Sequence, residues 1–548
     1  MRHLQEHQLA GLDVHKRPNS NSMLRQKATS ARRSTDEGQF RDPGTPMSKT
    51  SDTQIGRHGI PTSPKNDEPQ SDRDAAHRSI GFAALLNCLR EGGIPAQATD
   101  GRTCPPEAMM HNKAAVVPAV VISPQCKRDV SRSLKLISDF GLYALSVSVK
   151  SGGHGYFNGG TCPDIMLDMS SMTRQRAENG VLYAEPGGIL GQTIHTLARY
   201  KKVVPHGDCF GVGVGGHFLT AGWDVLLTRQ LGLGCQSVIG GRVVLWDGTV
   251  LDVSDKSHRD LLHAMRGGAA AGVGVVTEIH LRLEEQLDRV AWRFASITRQ
   301  QLEHVCVANG AFAKAQSLPR EISVSFRLHV ESGETSPSCL FNIVSTLSRE
   351  DTIKHLYRHL GREVSSLVCD VSSWTVGSLM DLRLLSASDE LAANPEMLAE
   401  MAGRDLHANA RKYWSHRCCV SEMERSHLTS ISHWVRPDCG QMLLDLYDAF
   451  DSAMGSPCAE RKFATVILGG GRMSELPCAM PLGDAIARFE QHWDEPEHEA
   501  PCRQFTSTIS DIIQTKHDPR PARPYRGDIW DAEKAEDEVL ADEDSIIV

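Results

Sequence analysis

The 548-residue sequence predicts an α+β protein built from two ordered regions in series. Three observations support this class. Strand-like and helix-like patterns alternate over residues 79–285, two glycine-rich segments interrupt them, and a further set of strands and helices fills residues 286–517. Each region is long enough to bury a core of its own, so we expect two domains.

The two ends of the chain differ in composition from these regions. Most of residues 1–78 are Ser, Thr, Pro, Asn, Gln, Asp and Arg in a pattern without apolar periodicity. This segment is predicted to be a disordered extension because it buries too little apolar surface to offset the entropy lost on ordering. Residues 518–548 are proline-rich and then acidic, which predicts a divergent, partly disordered tail.

Apolar spacing predicts the individual elements of the first region. The first helix is expected to begin near Ser79, where apolar residues recur at helical spacing. Asp247-Gly248 is a hairpin turn signal between two strands. Strands are predicted at 115–122, 145–150, 165–169, 181–184, 238–245, 249–253 and up to 283, and helices at 126–140, 190–200 and 260–265.

The second region has the same mixture of patterns. Strands are predicted at 322–330, 339–344 and 463–468, and helices at 353–360, 439–453 and near 482–492.

Composition narrows the classes of partner. The formal net charge of -9 disfavours nucleic acid and anionic membranes, and no apolar run approaches the roughly 20 residues of a bilayer span. The 15 cysteines include no C-x-x-C pair, so we expect reduced thiols and no metal site. The N-terminal residues lack the apolar core of a secretory signal, which predicts a cytoplasmic protein. The sequence leaves the oligomeric state open.

Two glycine-rich segments each carry one reactive side chain. Residues 149–156 read VKSGGHGY and contain His154, and residues 204–217 read VPHGDCFGVGVGGH and contain Cys209. Glycine lets backbone N–H groups approach a bulky anionic ligand closely. We therefore interpret both segments as parts of a cofactor cradle. Taken alone, each side chain has a plainer alternative, a loop histidine and a small buried cysteine. His206 and Cys162, nearby, are interpreted as structural.

A nicotinamide-binding domain is the alternative reading of the second segment. Gly211-x-Gly213-x-x-Gly216 satisfies the dinucleotide fingerprint by letter. Its context does not, because Arg229 and Gln230 stand where the fingerprint places an acidic residue.

Three segments in register resemble the flavin domain of the berberine bridge enzyme-like oxidoreductases, in the vanillyl-alcohol oxidase superfamily. They are KSGGHGY, VVPHGDCFGVGVGGHFLTAGW and AMRGGAAAGVGVVTEIHLRL, and the resemblance runs from about residue 86 to residue 283. It implies a two-part FAD-binding domain of PCMH type over residues 79–285, followed by an α+β substrate-binding domain over residues 286–517.

The resemblance also implies roles for individual residues. His154 and Cys209 would attach FAD covalently at two positions, and His217 would lie near the ribityl and pyrimidine end. Val212 would lie near flavin C4a, where valine leaves room for dioxygen. The other implied cofactor contacts are Ser151, Gly152, Gly153, Gly155, Gly213, Gly215, Gly216, Gly274 and Val276.

The implied activity is oxidation of a small-molecule substrate, with hydride passing to the flavin and dioxygen as acceptor, in a setting such as secondary metabolism. The family's C-terminal tyrosine-containing element is not recognisable here, which leaves the catalytic base open. Tyr413 is a candidate, with surface packing as its alternative role. His416, Cys418 and Cys419 are not spaced as a zinc site. A non-catalytic flavin-binding scaffold is the second hypothesis for function.

Overall fold

The computed structural model describes residues 70–516, except 106–107, 109, 111, 143–144, 156–159, 208–210, 225–226, 288, 309, 331–332, 380–381 and 383–425. The predicted disorder at the two chain ends therefore falls mostly outside the described residues. We call residues 70–285 the first lobe and residues 286–516 the second lobe. Among the described helices, none is long and apolar enough to cross a membrane.

The first lobe contains two main sheets. Four strands in the order β1-β2-β4-β3 form one sheet, in which β2, β4 and β3 are parallel. An antiparallel sheet has the order β5-β6-β10-β8-β9, and β7 pairs with β11. The strands are β1 (Ala96–Ala98), β2 (Val120–Ile122), β3 (Val147–Lys150), β4 (Ile165–Asp168), β5 (Gln175–Glu178), β6 (Val181–Ala184), β7 (Lys202–Val203), β8 (Val238–Leu245), β9 (Val250–Ser254), β10 (Gly274–Arg282) and β11 (Glu284–Glu285).

Helices of the first lobe cover these sheets with their apolar faces. The predicted helix at 126–140 is confirmed, and it buries Val130, Leu134 and Ile137 against the parallel sheet because they recur on one face. The first helix begins at Gln70 rather than near Ser79. The helices are α1 (Gln70–Glu91), α2 (Lys127–Asp139), α3 (Leu190–Ala198), α4 (Val214–Leu219), α5 (Thr228–Leu231) and α6 (Arg259–Met265).

The second lobe is one antiparallel sheet in the order β15-β12-β14-β13-β17-β18-β16. Its strands are β12 (Val290–Ile297), β13 (Ile322–Val330), β14 (Ser338–Ser345), β15 (Thr375–Gly377), β16 (His427–Val435), β17 (Lys462–Leu468) and β18 (Ala485–Trp493). Its helices are α7 (Arg299–Leu302), α8 (Ala311–Lys314), α9 (Arg349–Leu360), α10 (Arg362–Ser366), α11 (Gly440–Ser452), α12 (Arg472–Glu475) and α13 (Glu499–Gln514).

The two faces of this sheet differ in chemistry because successive side chains of a strand point to opposite sides. One face packs against α9, α11 and α13 in an apolar core to which β18 contributes Ala485, Ala487 and Phe489. The other face turns towards the first lobe, where Trp434 of β16 packs against Trp223 with ring centroids 5.7 Å apart.

The predicted helix near 482–492 is wrong, because residues 485–493 form strand β18. Both edges of β18 are paired, with β17 on one side and β16 on the other. Its apolar residues recur every second position, which is the strand period, so pairing in the middle of the sheet outweighs the local propensity for helix.

Arg229 of α5 joins the two lobes. Its guanidinium is 1% exposed and donates to the carbonyls of Ile322 at 2.9 Å, Leu318 at 2.7 Å and Gly469 at 2.5 Å. Burial lowers the pKa of Arg229 to about 10, so the group still carries its charge at neutral pH. These bonds satisfy three carbonyls of the second lobe with one side chain of the first.

We predict that Arg229→Leu lowers the free energy of unfolding by about 3 kcal/mol, because three buried carbonyls lose their donor. Urea unfolding followed by tryptophan fluorescence measures this loss. Arg320→Leu is the matched control, since that side chain is half exposed and its ion pairs among the described residues are long, at 3.6 and 3.7 Å. Equal stability of the two variants would contradict the role given to Arg229.

Candidate functional site

The two glycine-rich segments cross each other in the first lobe. A Cβ atom on Gly152 would lie 2.5 Å from the backbone nitrogen of Gly213 and 3.0 Å from the carbonyl oxygen of Gly211. A Cβ atom on Gly213 would in turn overlap the backbone nitrogen of Gly152. Cβ atoms essentially never lie closer than 3.0 Å to atoms of another segment, so both positions require glycine at this crossing.

A buried ion pair fixes the start of the first segment. Lys150 ends β3 and lies opposite Asp168 of the parallel strand β4. The Lys150 Nζ to Asp168 Oδ1 distance is 2.9 Å, and both side chains are buried. Asp168 also accepts from the backbone N–H and the hydroxyl of Ser170 at 3.2 and 2.9 Å, which holds the carboxylate in place.

Ser151 connects the crossing to helix α4. Its Oγ accepts from the backbone N–H of Gly215 at 3.1 Å and donates to the carbonyl of Pro186. The N–H of Val214 donates to the carbonyl of Gly188 at 2.8 Å. The first turn of α4 is therefore held against the first glycine segment.

The other glycines of these segments have distinct surroundings. Gly153 is buried with φ +69°, a conformation that favours glycine, and Gly155 is exposed. His154 lies between them and is half-buried. A Cβ atom on Gly216 would meet nothing within 4 Å, so this side of α4 faces open space.

His217 is buried on α4, with its Nε2 3.4 Å from the carbonyl oxygen of Pro205 and its ring edge-on to Phe218. Gly274 packs against the backbone of Val244, and Val276 lies in the apolar core of the first lobe. Their roles beside the cofactor stay predictions. Cys209 and Tyr413 lie outside the described residues, as do His416, Cys418 and Cys419.

A polar cluster on β18 was missed by the sequence analysis. Arg488, Glu490 and His492 alternate on the sheet face opposite the helices, and Glu490 is 2% exposed. Arg488 pairs with Oε1 of Glu490, and His492 Nε2 lies 3.6 Å from its Oε2. Ser426 Oγ lies 2.9 Å from His492 Nδ1. The period-two alternation of charged and apolar residues was the signal that could have found this cluster.

The charge of His154 in the first lobe acts on the carboxylate of Glu490 in the second lobe. Burial disfavours the charged form of Glu490, but Arg488, His492 and His154 together outweigh burial and hold its pKa below the ordinary value. Glu490 is therefore a buried carboxylate at neutral pH. A carboxylate in such a place can accept a proton from a ligand bound between the lobes.

The junction between the lobes fits a planar polar group such as a flavin. Trp223 Nε1, Trp434 Nε1 and Ser432 Oγ are buried and have no hydrogen-bond partner among the described residues. Buried polar atoms of this kind normally have partners. The ring nitrogens and carbonyls of a flavin would supply them. Fold and site together define a flavin-binding class of protein.

Comparison with known proteins agrees with this class. Residues 118–254 match the model of the FAD binding domain family. Glucooligosaccharide oxidase of Sarocladium strictum is 30% identical over 218 residues, which are 39% of this chain and 43% of that protein. Chitooligosaccharide oxidase of Gibberella zeae is 31% identical over 205 residues, which are 36% of this chain and 41% of that protein.

A solved structure of a berberine bridge enzyme variant in complex with (S)-reticuline covers 83% of this chain and 91% of its own, with a TM-score of 0.65 and 16% identity. The resemblance to the berberine bridge enzyme-like proteins is thereby confirmed for the flavin domain and for the fold. The chain spans less than half the length of the two curated relatives above.

We predict that Gly213→Ala lowers the midpoint of thermal unfolding and the flavin content of the purified protein, because the added methyl group separates the crossed segments. Gly216→Ala is the matched control for folding, since its methyl group enters open space. Differential scanning calorimetry and flavin absorbance measure the two effects. Wild-type stability and flavin content in Gly213→Ala would contradict the crossing.

Proposed function

We propose that the protein is an FAD-dependent oxidoreductase that oxidises a small organic molecule, with hydroxyl compounds such as carbohydrates as the first substrate class. The observation that carries this proposal is the crossing of two glycine segments just before His154, whose charge acts on the buried carboxylate of Glu490, in a chain whose residues 118–254 match an FAD binding domain. The names of the curated relatives, which are carbohydrate oxidases, support this substrate class.

Bound FAD supplies an acceptor for the hydride that leaves the substrate. Loss of hydride from a C–H bond is easier when the neighbouring O–H gives up its proton to a base. Glu490 is our proposed base, because it is ionised, buried and turned towards the first lobe. Arg488 and His492 keep the carboxylate oriented, and Tyr413 stays the second candidate.

We also propose dioxygen as the electron acceptor, which yields hydrogen peroxide. The names of the curated relatives, which are oxidases, support it. The family resemblance also implies that Val212 lies near flavin C4a, where valine leaves room for dioxygen. The proposed location is cytoplasmic.

The proposed attachment of FAD is covalent, through His154 and Cys209. His154 follows the crossing directly and lies near Glu490. Cys209 stands two positions before Gly211, whose carbonyl borders Gly152. Two tethers would withdraw electron density from the ring and fix its position, which favours hydride acceptance.

We predict that acid precipitation leaves the yellow colour on the wild-type protein. His154→Ala and Cys209→Ala each retain part of it, and the double variant retains none. Absorbance of the redissolved pellet measures retention. Cys162→Ala is the control, because its thiol donates to the Ile165 carbonyl at 3.1 Å in a strand-end contact. Complete release of flavin from the wild-type protein would overturn covalent attachment but not binding.

Substrate oxidation is tested by mixing the purified protein anaerobically with a panel of oligosaccharides and simpler alcohols. We expect at least one compound to bleach the flavin absorbance, and readmitted air to restore it with formation of hydrogen peroxide. A flavin that dithionite reduces but no compound of the panel bleaches would favour the non-catalytic scaffold. A colourless protein would favour the nicotinamide alternative.

With a substrate from this panel, we predict that Glu490→Gln slows flavin bleaching roughly 100-fold or more while flavin content is unchanged. The amide is close in size to the carboxylate but does not accept the proton. Stopped-flow absorbance measures the rate. Glu495→Gln, an exposed glutamate beyond the end of β18, is the control. An unchanged rate in Glu490→Gln would leave Tyr413 as the candidate base.

A further inference from the structure

Two cysteines from different lobes face each other at the junction. Cys235 and Cys478 are 243 positions apart in sequence, and their Sγ atoms are 3.7 Å apart. A disulfide bond needs an S–S distance of about 2.0 Å, so closing the gap requires an approach of about 1.7 Å. Rotation of the two side chains with a small shift of the loop that carries Cys478 would supply this approach.

We propose that Cys235 and Cys478 are a peroxide-sensitive thiol pair, which oxidation closes into a disulfide bond between the two lobes. The inference does not rest on the proposed oxidase activity, because added hydrogen peroxide serves as the oxidant.

The surroundings of the two thiols are unequal. Cys235 lies in the turn Gly234–Ser237 of the first lobe and is fully buried. Cys478 lies in the second lobe between α12 and β18 and is partly exposed. Solvent and small oxidants therefore reach Cys478 first.

The pKa values of the two thiols also differ, and they too favour reaction at Cys478. The hydrogen bond with Cys478 and burial raise the pKa of Cys235 well above the ordinary value. The hydrogen bond with Cys235 lowers the pKa of Cys478 and outweighs burial, which raises it; the backbone N–H of Met480 and the charge of Arg266 add to the lowering. Thiolate character at the accessible sulfur is what peroxide requires.

The reaction balances in two steps. The Cys478 thiolate attacks one oxygen of hydrogen peroxide, so that the O–O bond breaks, hydroxide leaves and a sulfenic acid forms. The Cys235 sulfur then attacks the oxidised Cys478 sulfur, the S–S bond forms, and the sulfenic oxygen leaves with protons as water. Two thiols lose two electrons, and one peroxide becomes two waters.

The disulfide bond would tie the second lobe to a turn of the first lobe that contacts helix α4. The N–H of Gly234, next to Cys235, donates to the carbonyl of Gly222 at 2.7 Å. A Cβ atom on Gly234 would lie 3.0 Å from His217 Nε2. The disulfide therefore would fix the position of the second lobe relative to α4.

Peptide mapping tests the proposal directly. The purified protein is treated with hydrogen peroxide, alkylated with iodoacetamide and digested with trypsin without reductant. Each cysteine lies alone in its tryptic peptide, residues 230–242 and 473–488. We expect these two peptides as one linked species, which dithiothreitol separates. Recovery of both as alkylated peptides, or of Cys478 as the sulfinic acid with Cys235 alkylated, would overturn the proposal.

Variants and stability give an independent readout. Cys235→Ser and Cys478→Ser each abolish the linked species, and Cys369→Ser, at an exposed cysteine, does not. Peroxide raises the midpoint of thermal unfolding of the wild-type protein by a few degrees, and dithiothreitol reverses the rise. If a serine variant fails to fold, the wild-type peptide map decides alone. If the linked species forms but the midpoint of thermal unfolding does not rise, the disulfide bond does not fix the two lobes relative to each other.

Discussion

The contact between the backbones of Gly152 and Gly213 is the constraint on which the site depends. Neither position has room for a side chain, because the amide of the other segment occupies that space. The contact fixes where β3 delivers His154 and where α4 begins. It also leaves the open side of Gly216 facing the space in which a cofactor would lie.

The second lobe contributes charged side chains to the junction because successive residues of a strand point to opposite faces of the sheet. The same strand β18 places Ala487 and Phe489 in the helix-covered core and Arg488 and Glu490 on the opposite face. The hydrogen bonds of Arg229 hold this face against the first lobe. The charge of His154 in the first lobe thus acts on the Glu490 carboxylate of the second lobe.

The sequence was most informative where function constrains backbone shape. The glycine segments predicted a cofactor cradle, since few other residues tolerate such close approach. The flavin domain was predicted from the resemblance of three segments, in order, to a known family. Helix α2 was predictable from the spacing of Val130, Leu134 and Ile137. Glu490 lies in the segment near 482–492 that the sequence predicts as a helix. Only the pairing of β18 on both edges makes this segment a strand and places Glu490 on the polar face.

Contacts between segments far apart in sequence could not be predicted, because they depend on how the two lobes pack. Arg229 reads as an ordinary charged residue of a short helix until the carbonyls of Leu318 and Gly469 surround it. Cys235 and Cys478 are separated by 243 positions, and only the packing of the lobes brings the thiols together. Local patterns carry no information on such pairs.

A crystal structure of the protein purified from riboflavin-supplied cells tests the central claim most directly. We expect density for FAD in contact with the backbones of both crossed segments, with its ring system between His154 and the polar face of β18. FAD bound elsewhere in the molecule, or a Glu490 carboxylate remote from the flavin ring, would contradict the account.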